Sequence, residues 1–340
     1  MKVAIHHTKS SFSEQWIEYC KSNNISFKIV DAYDSDIIAK LEDCDVFMWH
    51  HHHANYRDVL AAKPILFSLE QAGKKVFPDF NTGWHFDDKV AQKYLLEAIN
   101  APLVKSYVFY DRSSAEQWLY STSLPKVFKL KGGATGINVR LVRNKSEGKR
   151  LIRKAFGKGF PAFDRWGNLG ERWTKFKEGK ERFVDMIKGF VRLFIKPEFA
   201  KMSAKEKGYV YFQDFIAGND GDIRIIVIGQ KYAYGMKRMN RKNDFRASGS
   251  SNFVYDRISD DVLKVAFETA KKLNLQSVAF DFVKGENNEP LIVEISYGFG
   301  TKGSSRCPGY WTNDLTWHER KFNPYAWMIE VCRITDSTES

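Results

Sequence analysis

Between Val278 and Gly300 the chain runs through two apolar, alternating segments, Ala279-Phe280-Asp281-Phe282-Val283 and Leu291-Ile292-Val293-Glu294-Ile295-Ser296, separated by Gly285-Glu286-Asn287-Asn288. Alternation with a period of two on either side of a Gly/Asn turn reads as a β-hairpin. With the turn centred near Asn287 and Asn288, Asp281 falls opposite Glu294 and both side chains point to one face. Like charges directly across a ladder destabilise it, so two carboxylates that stay ionised there need a cation between them. Mg²⁺ suits such oxygens, binding through one or two carboxylates together with substrate phosphates. Two plainer outcomes stay open here: one carboxylate facing solvent, or a neighbouring Lys or Arg neutralising the pair.

Upstream, the strand-like Leu124-Pro125-Lys126-Val127-Phe128-Lys129-Leu130-Lys131 enters Gly132-Gly133-Ala134-Thr135-Gly136, and a second strand-like run, Ile137 to Val142, follows. A glycine-rich loop frees backbone N–H groups to cradle phosphate, although a plain hairpin turn fits equally. No Gly-Lys-Ser/Thr follows, which excludes a Walker A loop. Further on, Tyr209 to Ile216 and Asp222 to Gly229 read as strands, and a turn at Gly229-Gln230 returns the chain through Tyr232 to Arg238. Asp222 and Arg224 then share a face, with Arg238 close to Asp222. Arg241, Arg246 and the small-residue run Ala247 to Ser251 come next, so cations gather near the carboxylate pair.

The order of these pieces resembles the ATP-grasp superfamily, in particular its glutathione-synthetase-like and ribosomal-protein glutamate-ligase-like branches, from Phe77 to Gly300. Asp88-Lys89 is similar to the family's Asp-Lys at the start of a helix. Lys129 is similar to its phosphate-binding lysine, with Lys131, Gly132, Gly133 and Gly136 beside it. Gln213-Asp214-Phe215-Ile216 resembles the hinge whose backbone meets adenine. Asp222-Ile223-Arg224 and Lys237-Arg238 resemble the Asp-x-Arg and the following basic pair. The resemblance implies Arg224, Arg238 and Arg246 as catalytic arginines, Asp222 as part of the nucleotide site, and Asp281 and Glu294 as ligands of Mg²⁺ or Mn²⁺. The family's last motif is usually Glu-x-Asn and here reads Glu294-Ile295-Ser296, which leaves three readings open for Ser296 as the third metal ligand: weak ligation, contact through water, or no part in the site.

What the resemblance implies is an ATP-dependent ligase. A carboxylate takes the γ-phosphate of ATP to give an acyl phosphate, and an amine displaces phosphate to form an amide. Such chemistry asks for positioning and charge neutralisation, and for a lid, here the glycine-rich loop, that keeps water from the acyl phosphate. Two rivals keep parts of the reading: a phosphotransferase on the same fold, and a non-catalytic module that binds polyanions and carries a vestigial nucleotide site.

The first hundred residues alternate strand and helix: strands at Val3–His6, Ile25–Val30 and Asp45–Trp49, helices at Ser13–Ser22 and Val59–Gln71. The expected fold class is α/β, an N-terminal Rossmann-like parallel sheet (1–100) ahead of a two-lobed ATP-grasp domain with antiparallel sheets (101–215 and 216–340). No Gly-x-Gly-x-x-Gly is present in these hundred residues, which argues against a dinucleotide bound on this sheet. Six of the eight histidines (His6, His7 and His50 to His53) fall at the carboxyl ends of two of these strands, where ligands of open sheets bind. A metal site, a substrate pocket and a structural loop are all compatible with the run, with His6 and His50 as the substrate candidates.

Residues 145–208 hold eighteen Lys and Arg against eight Asp and Glu, a surplus of ten in a chain of net charge +12. Their centre, Phe183, Met186, Ile187, Phe190, Val191, Phe194 and Ile195, keeps a helical stripe, which reads as an amphipathic helix with a basic outer face. A sharper reading is an anion-attracting lobe for a nucleotide sugar, an acidic glycan or a membrane surface, with Phe163, Trp166 and Trp173 to stack on sugars or bases. No nucleic-acid-binding module is recognisable, so no specific nucleic-acid partner is expected. The tail is dense in aromatics; Trp311, Trp317 and His318 are candidates to line an acceptor pocket, and it resembles tails of ATP-grasp proteins of surface-polysaccharide pathways. The substrates expected are a small carboxylate and an amine, with an amino acid or amine joined to a sugar acid as one pairing. With 340 residues, four scattered cysteines and no apolar signal core, the chain is expected to be a reduced, cytoplasmic protein without a transmembrane span.

Overall fold

The structure, a computed structural model, describes residues 1–132, 138–161, 173, 176, 201–202, 204–241, 244–247 and 252–333. Its chain divides into two compact units, one of Met1–Leu103 with Ile216–Ser340 and one of Val104–Phe215. The first begins with β1 (Lys2–His6), α1 (Phe12–Ser22), β2 (Ser26–Val30), α2 (Ile37–Lys40), β3 (Val46–Trp49), α3 (Tyr56–Gln71) and β4 (Lys75–Phe77), then α4 (Phe80–Gly83) and α5 (Lys89–Ala98). The strands form a parallel sheet in the order β2-β1-β3-β4. Its central strands read as apolar runs rather than alternating ones, because helices cover both faces; Val46 to Trp49 is buried throughout. Ser11 caps α1 by accepting the Ser13 N–H, and Phe12, Trp16 and Cys20 recur every fourth residue along its buried face.

The second unit consists of β5 (Ser106–Phe109), α6 (Arg112–Ser121), β6 (Lys126–Lys129), β7 (Val139–Val142), α7 (Lys145–Ala155) and β8 (Val210–Asp214). Its antiparallel sheet runs β5-β8-β6-β7. One face carries Phe128, Val210 and Phe212 onto Ala115, Leu119, Leu151 and Ile152 of the two helices. Four of the five loop residues read as a phosphate cradle (Gly133 to Gly136) and the stripe from Phe183 to Ile195, with Phe163 and Trp166, lie outside the described residues.

The first unit resumes with β9 (Gly221–Ile228), β10 (Tyr232–Met239), β11 (Phe253–Val254), α8 (Asp260–Lys272), β12 (Ser277–Lys284), β13 (Pro290–Ser296), β14 (Tyr310–Thr312), β15 (Trp317–His318) and α9 (Pro324–Arg333). The sheet order is β13-β12-β9-β10-β14-β15, with β11 paired to β10. Gly229 and Gln230, both at positive φ, begin the three-residue turn, completed by Lys231, between β9 and β10. Period two splits the sheet cleanly. Ile225, Val227, Phe280, Phe282, Ile292 and Ile295 meet α8 on one face. On the other, Ile226, Ile228, Tyr234, Met236 and Ala279 join Val3, Phe12, Trp16 and Met328 in a second core. Among the described residues no helix is long and apolar enough to cross a membrane.

Candidate functional site

The apolar face that joins Ile226, Met236 and Ala279 turns charged one pleat further along the same strands. Register places Arg238 of β10 opposite Asp222 of β9, and Asp281 of β12 opposite both Arg224 of β9 and Glu294 of β13. Five charged side chains therefore share one end of one face. Arg224 grips Asp281 with two hydrogen bonds, Nε to Oδ1 at 2.7 Å and Nη2 to Oδ2 at 2.8 Å. Arg238 donates to both Asp222 oxygens at 2.6 and 2.5 Å and reaches Asp281 Oδ2 at 2.7 Å. Of the outcomes left open by the sequence, neighbouring basic side chains neutralising Asp281 is the one realised. A Cβ on Gly221 would stand 2.2 Å from the Arg238 carbonyl, so glycine is what lets the strands close beside this group.

The electrostatics follow from the pairing. Burial alone would push the Asp281 carboxyl up, but Arg224 and then Arg238 hold it well below the usual carboxylate range. Asp222 goes the other way, raised by burial and by the charge of Asp281. Arg238, flanked by two carboxylates, holds its proton more tightly than an ordinary arginine despite its burial.

Glu294 is about a third exposed and takes a different partner, Lys89 Nζ at 3.1 Å from Oε1. Lys89 opens α5 directly after Asp88, whose Oδ1 caps the helix by accepting from Val90 and Ala91 N–H. Burial works against the Lys89 ammonium, yet Glu294 and Asp87 raise its pKa above the ordinary lysine value. One turn on, Gln92 accepts the Ile295 N–H at 3.3 Å and donates to the His85 carbonyl. Sequence reading missed Gln92, though its i, i+3 spacing from Lys89 puts it on the same helix face. Ser296 Oγ donates to the Gly298 carbonyl at 2.8 Å, which uses its proton and keeps its lone pairs as acceptors. Arg246 sits on Asp244 at 2.7 Å.

In the second unit Lys129 Nζ donates to Gln213 Oε1 at 2.6 Å. Asp214 pairs with Lys126 at 2.8 Å, a lysine that the sequence reading did not single out although cross-strand register sets it opposite. Lys131 N–H donates to Tyr209 Oη at 2.6 Å, and the Gly132 carbonyl accepts from Asn138. The boundary between the two units falls between Phe215 and Ile216, inside the segment read as a hinge.

His6 and His50 each accept a backbone N–H on Nδ1, from Ala32 at 2.9 Å and Phe12 at 3.1 Å, which fixes the proton on Nε2. Burial lowers both, His50 to about 3. His50 also stacks on Phe12 with centroids 3.6 Å apart. Both rings hold loops to the parallel sheet. Trp311 and His318 do not line one pocket: Trp311 faces α8, whereas His318 stacks on Tyr310 of the opposite core, because neighbours along a strand point to opposite faces.

The chain was compared with known proteins. A family model described as RimK-like ATP-grasp domain matches residues 198–311. The chain is 25% identical over 279 residues to the Probable alpha-L-glutamate ligase of Marinomonas sp. (strain MWYL1), covering 74% of this chain and 90% of the relative. It is 22% identical over 228 residues to the Alpha-aminoadipate--LysW ligase LysX of Saccharolobus solfataricus, covering 66% of each. Among solved structures it resembles the RimK domain protein ATP-grasp from Sphaerobacter thermophilus, with a TM-score of 0.56 at 15% identity over 90% of this chain and 95% of that one. It also resembles the ATP-grasp ligase PsnB complexed with minimal precursor, Mg and ADP, with a TM-score of 0.55 at 13% identity over 98% of both chains. With the parallel sheet, the antiparallel sheets and the charged strand ends already in place, the chain carries a match to the RimK-like ATP-grasp domain over residues 198–311, and it is similar to proteins named as ligases of that kind over most of its length.

Proposed function

We propose that this protein joins a carboxylate to an amine at the expense of ATP, with amino acids or a peptide as the substrates. A carboxylate oxygen attacks the γ-phosphorus of ATP, the bond to ADP breaks, and the resulting acyl phosphate is attacked by an amine. Phosphate leaves and the nitrogen loses a proton. The observation that carries the reading is the row of carboxylates and guanidiniums at the ends of β9, β10, β12 and β13, which ends in Glu294 and Lys89. Phosphoryl transfer needs such fixed charge more than covalent help.

The donor set fits Mg²⁺. Asp281 and Glu294 offer hard oxygens from adjacent strands and Ser296 a hydroxyl, and a magnesium ion takes the rest of its shell from phosphates and water. When bound, the ion would neutralise phosphate charge. Arg224, with its side chain 23% exposed, is the guanidinium best placed to turn from Asp281 to an anionic substrate, while Arg238 stays buried as its support. Within the second unit Lys129 is the proposed phosphate contact; within the first, Lys89 holds Glu294 in place.

The names of these relatives favour an amino-acid substrate such as glutamate or aminoadipate over a sugar acid. The test is ADP release with glutamate and a panel of amines and peptides, with the amide product followed by mass. Glu294→Gln is expected to lower turnover at least ~100-fold, since it removes one of two anionic ligands. ADP release that needs no amine would instead support a phosphotransferase.

A further inference from the structure

The β5-β8-β6 sheet of the second unit packs its apolar face on two helices and carries a polar relay on the other. Cross-strand register puts Ser106 opposite Gln213, and Tyr211 opposite Lys129, so the four side chains share that face. All are at least 94% buried. Ser106 Oγ donates to the Val104 carbonyl at 2.8 Å. It accepts from Tyr211 Oη at 2.9 Å and from Gln213 Nε2 at 3.1 Å. Gln213 Oε1 in turn accepts from Lys129 Nζ at 2.6 Å.

The direction of this relay is forced. A backbone carbonyl can only accept, so the single Ser106 proton goes to Val104 and both hydroxyl lone pairs are left to receive. The Gln213 amide must then show its NH₂ to Ser106 and its oxygen to Lys129. A flipped amide would set a carbonyl oxygen against an oxygen already full and an NH₂ against an ammonium. Gln213 thus holds the lysine through a short, charge-assisted bond from a neutral partner, which fixes its position without adding negative charge of its own.

We propose that Ser106 and Tyr211 are positioning residues for the phosphate-binding lysine, acting through Gln213; this rests on the reading of Lys129 given above. Gln213→Glu keeps the shape and sets a carboxylate against the ammonium, so it marks how much a neutral partner at this position matters. Ser106→Ala removes the acceptor that sets the amide, and the isosteric Tyr211→Phe removes one donor into the same oxygen.

The experiment is ADP binding by calorimetry on the full chain, with KM for ATP, KM for the amine and thermal midpoint measured alongside. Ser106→Ala is expected to weaken ADP by ~5-fold and Tyr211→Phe by less, in line with one ordinary hydrogen bond, and Gln213→Glu by ~10-fold or more. In each, KM for ATP rises while KM for the amine stays put, a split that general loosening would not give. If Ser106→Ala does not fold, Tyr211→Phe and Gln213→Glu decide. Wild-type ADP affinity in the folded relay variants would overturn the proposal. Lys129→Ala is the control: wild-type ADP affinity there would overturn the reading of Lys129 itself, whereas a loss there beside unaffected relay variants would sink the relay alone.

Discussion

Arg238 does two jobs that pull its replacement in different directions. Its side chain is 6% exposed and lies between Asp222 and Asp281, so removing it leaves two buried carboxylates sharing the one guanidinium of Arg224. Arg238→Met should therefore cost about 3–5 kcal/mol in a urea titration, because breaking a buried pair strands the partner charge. Arg238→Lys should fall in between, since an ammonium keeps the charge but cannot fork onto Asp222. The same pairing changes what is expected of Asp281. From sequence, Asp281→Asn looks like a clean loss of a metal ligand in a folded protein. In the structure it also removes the counter-charge of two arginines, so Glu294→Gln is the cleaner probe of turnover.

At the scale of elements, the β12-β13 hairpin shows both how far the sequence was legible and where it stopped. The loop spans five residues, with Lys284 paired to Pro290, and the ladder is regular back to Phe282 and Ile292. That register alone would set Asp281 against Val293. A bulge intervenes, Val293 is the extra residue, and Asp281 meets Glu294. The turn centre read between Asn287 and Asn288 is thus half a residue off, and the correct pair follows because the bulge makes up the difference. Alternation could have announced it: Ile292 and Ile295 are both fully buried, and three residues apart they share a face only if the pleat is reset between them. Strand runs and the Gly229-Gln230 turn were legible because each is set by neighbours in sequence, and the helix start at Asp88-Lys89 came from the resemblance. The Lys89 contact with Glu294 and the roles of Gln92 and Ser106 were not, since they depend on partners fixed only by packing. Deleting Val293 tests the bulge. The strand then alternates regularly with the same residues inward, so the thermal midpoint should move by only a few degrees, roughly 1 kcal/mol. Bulges re-aim side chains, so ADP-forming activity should nonetheless drop ~10-fold or more.

For the whole molecule, the buried histidines predict an acid limit. His51 and His85 are 4% and 1% exposed. Burial is the largest cause that brings His51 down to about 3 and His85 to about 4. His53 is lowered to about 4 by burial and then by the Lys89 charge. The unfolded chain takes up these protons near pH 6.5 and the folded one does not, so their stability contribution is intact above that pH and is lost as pH falls towards 4. Each such histidine adds up to ~1.4 kcal/mol per pH unit to the slope. Asp79 opposes them: burial raises it to about 6 from 3.8, so the folded state gains from its proton as pH falls through that interval. With His50, lowered to about 3 as well, four protons against one leave the slope positive. Urea unfolding should therefore weaken steadily from about pH 7 to pH 5, and His85→Phe should flatten the curve by about one histidine's share. Because His53 neighbours Lys89, and Lys89 holds Glu294, ADP formation should be lost over the same interval and return on neutralisation. A stability curve flat between those pH values in the unmodified chain would show that these rings are hydrated and titrate normally in the folded protein.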